Sequence, residues 1–181
     1  MSGREPAGRK HSGGPNDLLN DDTSDAPGER YGRAILSDAD MLARFHNART
    51  RPPCSDLLGM RLRSVDQASM RVSLDFIAAP DFRNPSGAIQ GGFLMAMLDE
   101  AMATAGIIAS NVSMYVPTLE MKTSFLRPAF PGPLRAEARV LRFGKGAAFL
   151  EAELYDPEDR LVAKASATAS PRPFERFSVK R

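Results

Sequence analysis

Alternation of apolar and polar residues predicts strands on both sides of a long apolar segment. Residues 69–76 alternate Met, Val, Leu and Phe with Arg, Ser and Asp, and a short polar turn joins them to a similar run at 59–65. A spacing of two is typical of a half-buried strand. Later in the chain, turn-like segments separate four more strand-like runs, at 116–126, 134–143, 147–155 and 161–170.

Two segments have helical spacing instead. Residues 38–47 suit a short amphipathic helix whose apolar residues fall on one face. Residues 91–110 predict a single long helix that is apolar on every side and broken only by Asp99 and Glu100. A helix that is apolar all round is expected to be buried.

Small and aliphatic residues form one face of three of the last four strands. In the final strand this face is Leu161, Ala163, Ala165, Ala167 and Ala169. Faces of this kind let a sheet approach a helix closely. The pattern therefore predicts an α+β fold, with a curved antiparallel sheet of about six strands wrapped around one long central helix. The helix lies between the second and third strands.

The length of 181 residues suits one domain with an additional tail. Residues 1–35 are rich in Gly, Ser, Pro, Asp and Arg, so they bury too little surface to offset their ordering entropy. We expect a disordered N-terminal tail over 1–35, a folded domain over 36–172 and a C-terminal extension over 173–181.

Charge and composition narrow the function. The formal charge of +2 is small and the basic residues are scattered, so binding to nucleic acid has little support. The single Cys54 excludes an internal disulfide, and His11 and His46 offer little for a metal site or a Ser-His-Asp triad. Asp99 and Glu100 interrupt the longest apolar run, so we expect a soluble cytoplasmic protein that does not bind membranes.

The most informative chemistry lies in the loop 84–92, which ends in two glycines at the predicted start of the long helix. Backbone N–H groups at a helix start are unpaired and carry partial positive charge, so they can polarise a carbonyl. Glycine lets a ligand approach the main chain. Two turns further along, Asp99 supplies a carboxylate on an otherwise apolar helix.

The residues Asn84, Gly87, Gly91, Gly92 and Asp99 resemble, in identity and spacing, the signature of hotdog-fold acyl-CoA thioesterases of the phenylacetate-degradation (PaaI-like) type. The resemblance covers roughly residues 38–170. It implies the hotdog fold, hydrolysis of acyl-CoA, and at least a homodimer, with a homotetramer favoured. It also implies that there is no metal and no cofactor other than the coenzyme A of the substrate.

The resemblance also implies roles for individual residues. The Gly91 amide would polarise the thioester carbonyl, and Asp99 would act as base or nucleophile on a substrate bound across a two-fold interface. Asn84 would hold the water or the carbonyl, and Thr118 would orient the water or the acid. Gln90 stands where the family has a histidine; its amide can donate a hydrogen bond but cannot carry a proton.

Substrate contacts are expected from a second group of residues. Gly92 would contact the substrate, and the acyl tunnel would use Met95, Leu98 and Met102 with loop residues such as Phe82. Arg127, Arg142 and Lys145 would meet the phosphates of coenzyme A. Each of these residues also has an ordinary interpretation, as a core residue or a solvated charge.

Several alternatives stay open from sequence alone. Asp99 could be a helix acid paired with Arg or Lys, Glu100 could be structural or catalytic, Asn84 could cap its loop, and Thr118 could be an ordinary strand residue. At the level of function, the alternative is an acyl-CoA binding or sensing protein without catalysis. A hotdog dehydratase is disfavoured because it needs a histidine paired with an acid.

Overall fold

The computed structural model describes residues 34–49 and 51–174, which form eight strands and three α-helices. In chain order the elements are α1 (Asp38–His46), α2 (Pro53–Leu57), β1 (Arg61–Asp66), β2 (Arg71–Ala78), a 3₁₀ turn (Pro80–Phe82), α3 (Gly91–Ala109), β3 (Met114–Tyr115), β4 (Thr118–Phe125), β5 (Gly132–Phe143), β6 (Ala148–Tyr155), β7 (Leu161–Ala169) and β8 (Arg172–Pro173).

Six strands make one antiparallel sheet in the order β1-β2-β5-β6-β7-β4. The helix α3 contacts β2, β4, β5, β6 and β7, so the sheet must curve around it. The predicted α+β architecture is confirmed, including the helix between the second and third strands of the sheet. Strands β1 and β4 form the two edges.

The core lies between α3 and the concave face of the sheet. The alanines of β7 and one face of α3, including Met97, Leu98 and Ala101, are buried there. Where the chain returns from α3 to the sheet, the contact leaves no room for a side chain: a Cβ on Gly106 would lie 2.7 Å from the Cγ2 of Val116. Small residues thus bring helix and sheet close together.

The predicted burial of α3 is complete on the side of the sheet and only partial on the outer side. Phe93, Met95, Ala96, Ala103 and Ile107 on the outer side are half-buried. The reason is that α1 and α2 are short and cover only part of that side. By length and composition α3 could also cross a membrane, but half of its most apolar window is packed inside this fold.

Three elements were not predicted. Helix α2 and the strand pair β3–β8 are two to five residues long, too short for a periodic pattern. Most of the predicted tail and extension lies outside the described residues, so those boundaries stay predictions. At the start of the described chain, the side chain of Asn111 bonds the main chain of Ala34 and Leu36.

Candidate active site

The loop before α3 is closed by its own hydrogen bonds. The Asn84 N–H donates to the Ala88 carbonyl over 2.7 Å, and the Gly87 N–H donates to the Asn84 carbonyl over 2.9 Å. Gly87 has φ of 86°, a left-handed conformation that favours glycine. The Gln90 N–H then donates to the Phe82 carbonyl, which fixes Gln90 as the N-cap of α3.

The N–H groups of Gly91 and Gly92 have no acceptor in the described part of the chain, as expected for a helix start, whereas the Phe93 N–H donates to the Gln90 carbonyl over 2.9 Å. The exposed side chain of Gln90 does not cap the helix. A Cβ on Gly91 would lie 3.0 Å from the ring of Phe125, whereas a Cβ on Gly92 would have nothing within 4 Å. Gly91 therefore sits in a close contact, and Gly92 faces open space.

A cleft of about 460 Å³ adjoins this helix start. Asn84, Gly91 and Arg127, all predicted site residues, line it together with the apolar side chains of Leu94 and Phe125. The Asn84 Oδ1 accepts hydrogen bonds from the N–H and hydroxyl of Ser86, at 2.9 and 2.7 Å. Asn84 is thus a loop cap, and its side-chain NH₂ is still able to donate to a ligand.

Asp99 lies on α3 and bonds to the edge strand β4. The Thr118 hydroxyl donates to the Asp99 Oδ1 over 2.7 Å. Asp99 is half-buried, and no Arg or Lys of the described chain forms an ion pair with it. Eight residues at 1.5 Å each place it about 12 Å along the helix axis from Gly91. Within one chain the predicted catalytic residues therefore fall into two groups, one at the start of α3 and one at Asp99 and Thr118.

Glu100 points to the other side of the helix from Asp99. The buried Ser55 of α2 donates its hydroxyl to the Glu100 Oε1 over 2.7 Å. Helix α2 leads into β1, at the sheet edge opposite β4. Consecutive helix positions differ by about 100° around the axis, so the adjacent carboxylates point in different directions. Asp99 bonds at the β4 edge of the sheet, and Glu100 bonds to α2 near the β1 edge.

Comparison with known proteins identifies the family. The family model described as Thioesterase superfamily matches residues 86–163. A crystal structure from Ralstonia eutropha, provisionally named a thioesterase and phenylacetic acid degradation-related protein, is 34% identical, with a TM-score of 0.67; the match covers 72% of this chain and 98% of that one. The chain belongs to the thioesterase superfamily. The hotdog fold and the PaaI-like resemblance predicted from the sequence are confirmed.

Two further proteins are similar to this thioesterase-superfamily chain. A Saccharolobus solfataricus protein provisionally named an esterase is 36% identical over 87 residues, which is 47% of this chain and 60% of that protein. The chain thus spans about three fifths of its length. A Streptococcus mutans structure with bound acetyl-CoA is 17% identical, has a TM-score of 0.60, and is matched over 97% of its chain and 71% of this one. It shows the fold alone.

The predicted substrate-binding residues are spread over the thioesterase-superfamily domain. Phe82 is only 4% exposed and stacks on Phe93 with ring centroids 3.9 Å apart, so in the single chain it packs as a core residue. Arg127, at the cleft, donates to the Leu161 carbonyl. Arg142 and Lys145 are exposed near the turn between β5 and β6.

Sheet register places that turn near Thr118. Ala148 of β6 pairs with Ala169 of β7, which pairs with Thr118 of β4. Two strand spacings separate β6 from β4, about 10 Å. Arg142 and Lys145 therefore lie at the same end of the sheet as the Asp99–Thr118 pair, whereas Arg127 lies at the end where β4 finishes.

Phe125 is a site residue that the sequence reasoning missed. Its side chain is 52% exposed, lines the cleft and contacts Gly91. The available signal was its position at the end of the strand that follows the helix beginning with two glycines. In the described part of the chain, no group of three or more His, Cys, Asp or Glu side chains is placed to hold a metal ion.

Proposed function

We propose that this protein hydrolyses acyl-CoA thioesters to a free acid and coenzyme A. The observation that carries the proposal is the arrangement along the β4 edge. A half-buried carboxylate, Asp99, is held by Thr118 at one end of this strand. The cleft with Gly91, Asn84 and the unpaired helix-start amides lies at the other end. Membership of the thioesterase superfamily supports the same chemistry.

A two-fold dimer would unite the two groups. Strand β4 is a sheet edge, and Leu119 and Phe125 on it are 67% and 52% exposed. Exposed edges of this kind are templates for pairing with a second chain. If two β4 strands pair antiparallel about a two-fold axis, the start of one lies beside the end of the other. Asp99 then faces the Gly91 cleft of the partner subunit.

The proposed reaction uses these groups in sequence. The Gly91 N–H, with the Gln90 NH₂ beside it, donates to the thioester carbonyl oxygen and stabilises the negative charge that develops there. On one route Asp99 removes a proton from the water that attacks the carbonyl carbon. On the other, Asp99 attacks the carbonyl carbon itself and expels the thiolate to form an anhydride, which water then opens. The carbon–sulfur bond breaks, and the thiolate of coenzyme A leaves and takes up a proton. Thr118 keeps the Asp99 carboxylate in position.

Coenzyme A itself would lie near the basic residues. Arg142 and Lys145 share the Thr118 end of the sheet, where dimer pairing would also bring the partner subunit's Arg127. Guanidinium and ammonium groups bind phosphates well. The Streptococcus mutans relative holds acetyl-CoA, which supports this class of ligand. We further propose a cytoplasmic homotetramer of two such dimers, which uses no metal or added cofactor and binds neither nucleic acid nor membrane.

The first test is replacement of the acid. We expect Asp99→Asn and Asp99→Ala to lower release of free thiol from acyl-CoA at least about tenfold, because general-base or nucleophilic action is lost. A thiol-detecting dye and a panel of short, medium, long and aromatic acyl-CoAs provide the measurement. Glu100→Gln is the matched control, since it changes the adjacent carboxylate on the other side of α3. Unchanged turnover in both Asp99 variants would overturn the assignment.

A second candidate function is acyl-CoA binding or sensing without hydrolysis. The observation in its favour is Gln90, which occupies the place of the family histidine and cannot transfer a proton. Tight binding of acyl-CoA with no thiol release over hours would select this candidate. Restored hydrolysis in Gln90→His would then identify the missing group.

A further inference from the structure

A cavity of about 830 Å³ lies away from the proposed active site. It is lined by residues of α1, α2, β1 and the outer side of α3, at the sheet edge opposite β4. Pairing of β4 strands would leave it open. Its volume is in the range of small-molecule sites.

The inner wall of this cavity carries hydrogen-bonding groups that are free for a ligand. Thr104 is only 3% exposed and lines the cavity, yet its hydroxyl has no hydrogen-bond partner among the described residues. Its oxygen is not among the fully buried side-chain atoms that lack a partner, so the cavity reaches it. Glu100 lies four residues earlier on the same helix face. Its carboxylate accepts one bond from Ser55 and has capacity for more.

The remaining walls are apolar. They are formed by the side chains of Phe45, Met60, Leu62, Ile107, Val112 and Phe174. Such a surface stabilises a ligand with a hydrocarbon body, because burying apolar area removes it from water.

Positive charge is concentrated among the exposed residues of the cavity. Arg44 and Arg61 line it, and neither has a carboxylate partner in the described chain. Arg51 also lines it but bonds the Met60 carbonyl and pairs with Asp56. The His46 Nε2 is bonded to the Leu62 carbonyl. Two guanidinium groups without an ion-pair partner thus line the cavity, and Glu100 is the only carboxylate among its described lining residues.

We propose that this cavity binds a hydroxylated carboxylic acid with an apolar body. The ligand hydroxyl donates to Glu100 and accepts from Thr104 at the inner wall, and the ligand carboxylate meets Arg44 and Arg61 at the exposed side. The inference goes beyond the proposed hydrolysis and does not depend on it, because its residues lie at the other edge of the sheet.

The test is equilibrium binding to the full chain by titration calorimetry. The probes are 12-hydroxydodecanoate and dodecanoate, used below their micellar concentrations. We expect one site per chain and at least about fivefold tighter binding of the hydroxy acid, the effect of its additional hydrogen bonds to Glu100 and Thr104. Thr104→Val should lower this preference, and Thr104→Ser, which retains the hydroxyl, should preserve it.

The arginines are tested in the same assay. Arg61→Ala should weaken both probes at least about fivefold through loss of a charged contact to the carboxylate. Arg71→Ala, an exposed arginine outside the cavity, is the matched control. A preference for the hydroxy acid that is absent, or that Thr104→Val leaves undiminished, would overturn the proposal. So would equal effects of the two arginine substitutions. None of these results bears on thioester hydrolysis.

Discussion

The two glycines at the start of α3 have different surroundings although they are adjacent. A Cβ on Gly91 would lie 3.0 Å from the Phe125 ring, so the ring or the main chain would have to shift by a few tenths of an ångström, whereas Gly92 borders open space. In the proposed mechanism the Gly91 amide contacts the substrate oxygen, so a shift of the main chain would misplace that donor. Single substitutions at Gly91 and Gly92 therefore test the proposed oxyanion site most sharply.

We expect Gly91→Ala to lower turnover at least about tenfold, because a misplaced oxyanion donor loses transition-state stabilisation. Gly92→Ala is the matched control and should raise stability by about 0.5 kcal/mol, since alanine is a better helix residue. Thiol-release kinetics and urea unfolding give the two readouts. Phe125→Leu combined with Gly91→Ala should recover part of the activity. Equal turnover in the two glycine variants would contradict the role of Gly91.

At the scale of elements, side-chain hydrogen bonds on the convex face of the sheet join residues within β6 and between β6 and β7. On β6, Glu153 accepts from the Tyr155 hydroxyl over 2.6 Å and from Lys164 of β7 over 3.1 Å. These bonds lower the pKa of Glu153, with the Tyr155 bond as the main cause. The same bond to Glu153, helped by burial, raises the pKa of Tyr155 to about 12.

This pair predicts a pH dependence. The Tyr155 proton is held more tightly in the folded than in the unfolded chain, so its contribution to stability is complete below about pH 10 and is lost as the pH rises towards 12. Absorbance at 295 nm should show a late tyrosine step from Tyr155, and Tyr155→Phe should abolish it. Far-ultraviolet circular dichroism checks that the chain stays folded. A late step that persists in the variant would refute the assignment.

The element pattern also shows what a sequence can and cannot predict. Period-two alternation and alanine-rich faces predicted the strands of the main sheet, because one face of each packs on a helix, which is α1 for β1 and α3 for the others. The short α2 and the β3–β8 pair carry no periodic signal, since tertiary contacts rather than local pattern hold them. The outer side of α3 is as apolar as the inner side, so burial on the inner side alone could not be predicted.

For the candidate site, the sequence predicted positions along the chain but not their grouping. The spacing from Asn84 to Asp99 indicated a common site, yet a straight helix separates Gly91 from Asp99. The cavity beside Thr104 could not be predicted, because α1, α2, β1 and the residues near Phe174 meet only in the folded chain. The roles of Asp99, Asn84, Gly91, Gln90 and Thr118 stay predictions that the kinetic variants test.

At the scale of the whole molecule, the separation of the two groups predicts complementation between subunits. We expect Asp99→Asn and Asn84→Ala each to be weakly active alone. In a mixed dimer, one interface site then has both original residues and the other has neither. Random pairing in an equal mixture should restore about a quarter of the original activity, since half of the dimers are mixed and each has one intact site.

Refolding the two variants together, with each refolded alone as the control, makes this measurement with the same thiol-release assay. A mixture that is no more active than the average of its parents would show that each site is built within a single chain. Light scattering on the same samples gives the number of chains per particle and verifies that pairs have formed.

Asp99 and Glu100 point in different directions, so α3 lies between two sites, the proposed active site and the cavity beside Thr104, and contributes residues to both. Loss of one residue between 92 and 98 would rotate everything beyond it by about 100° and put Glu100 in the place of Asp99. Such a deletion would disturb both sites at once, whereas point changes in one would leave the other intact. Natural variation in this protein should therefore alter the composition of that helical stretch far more readily than its length.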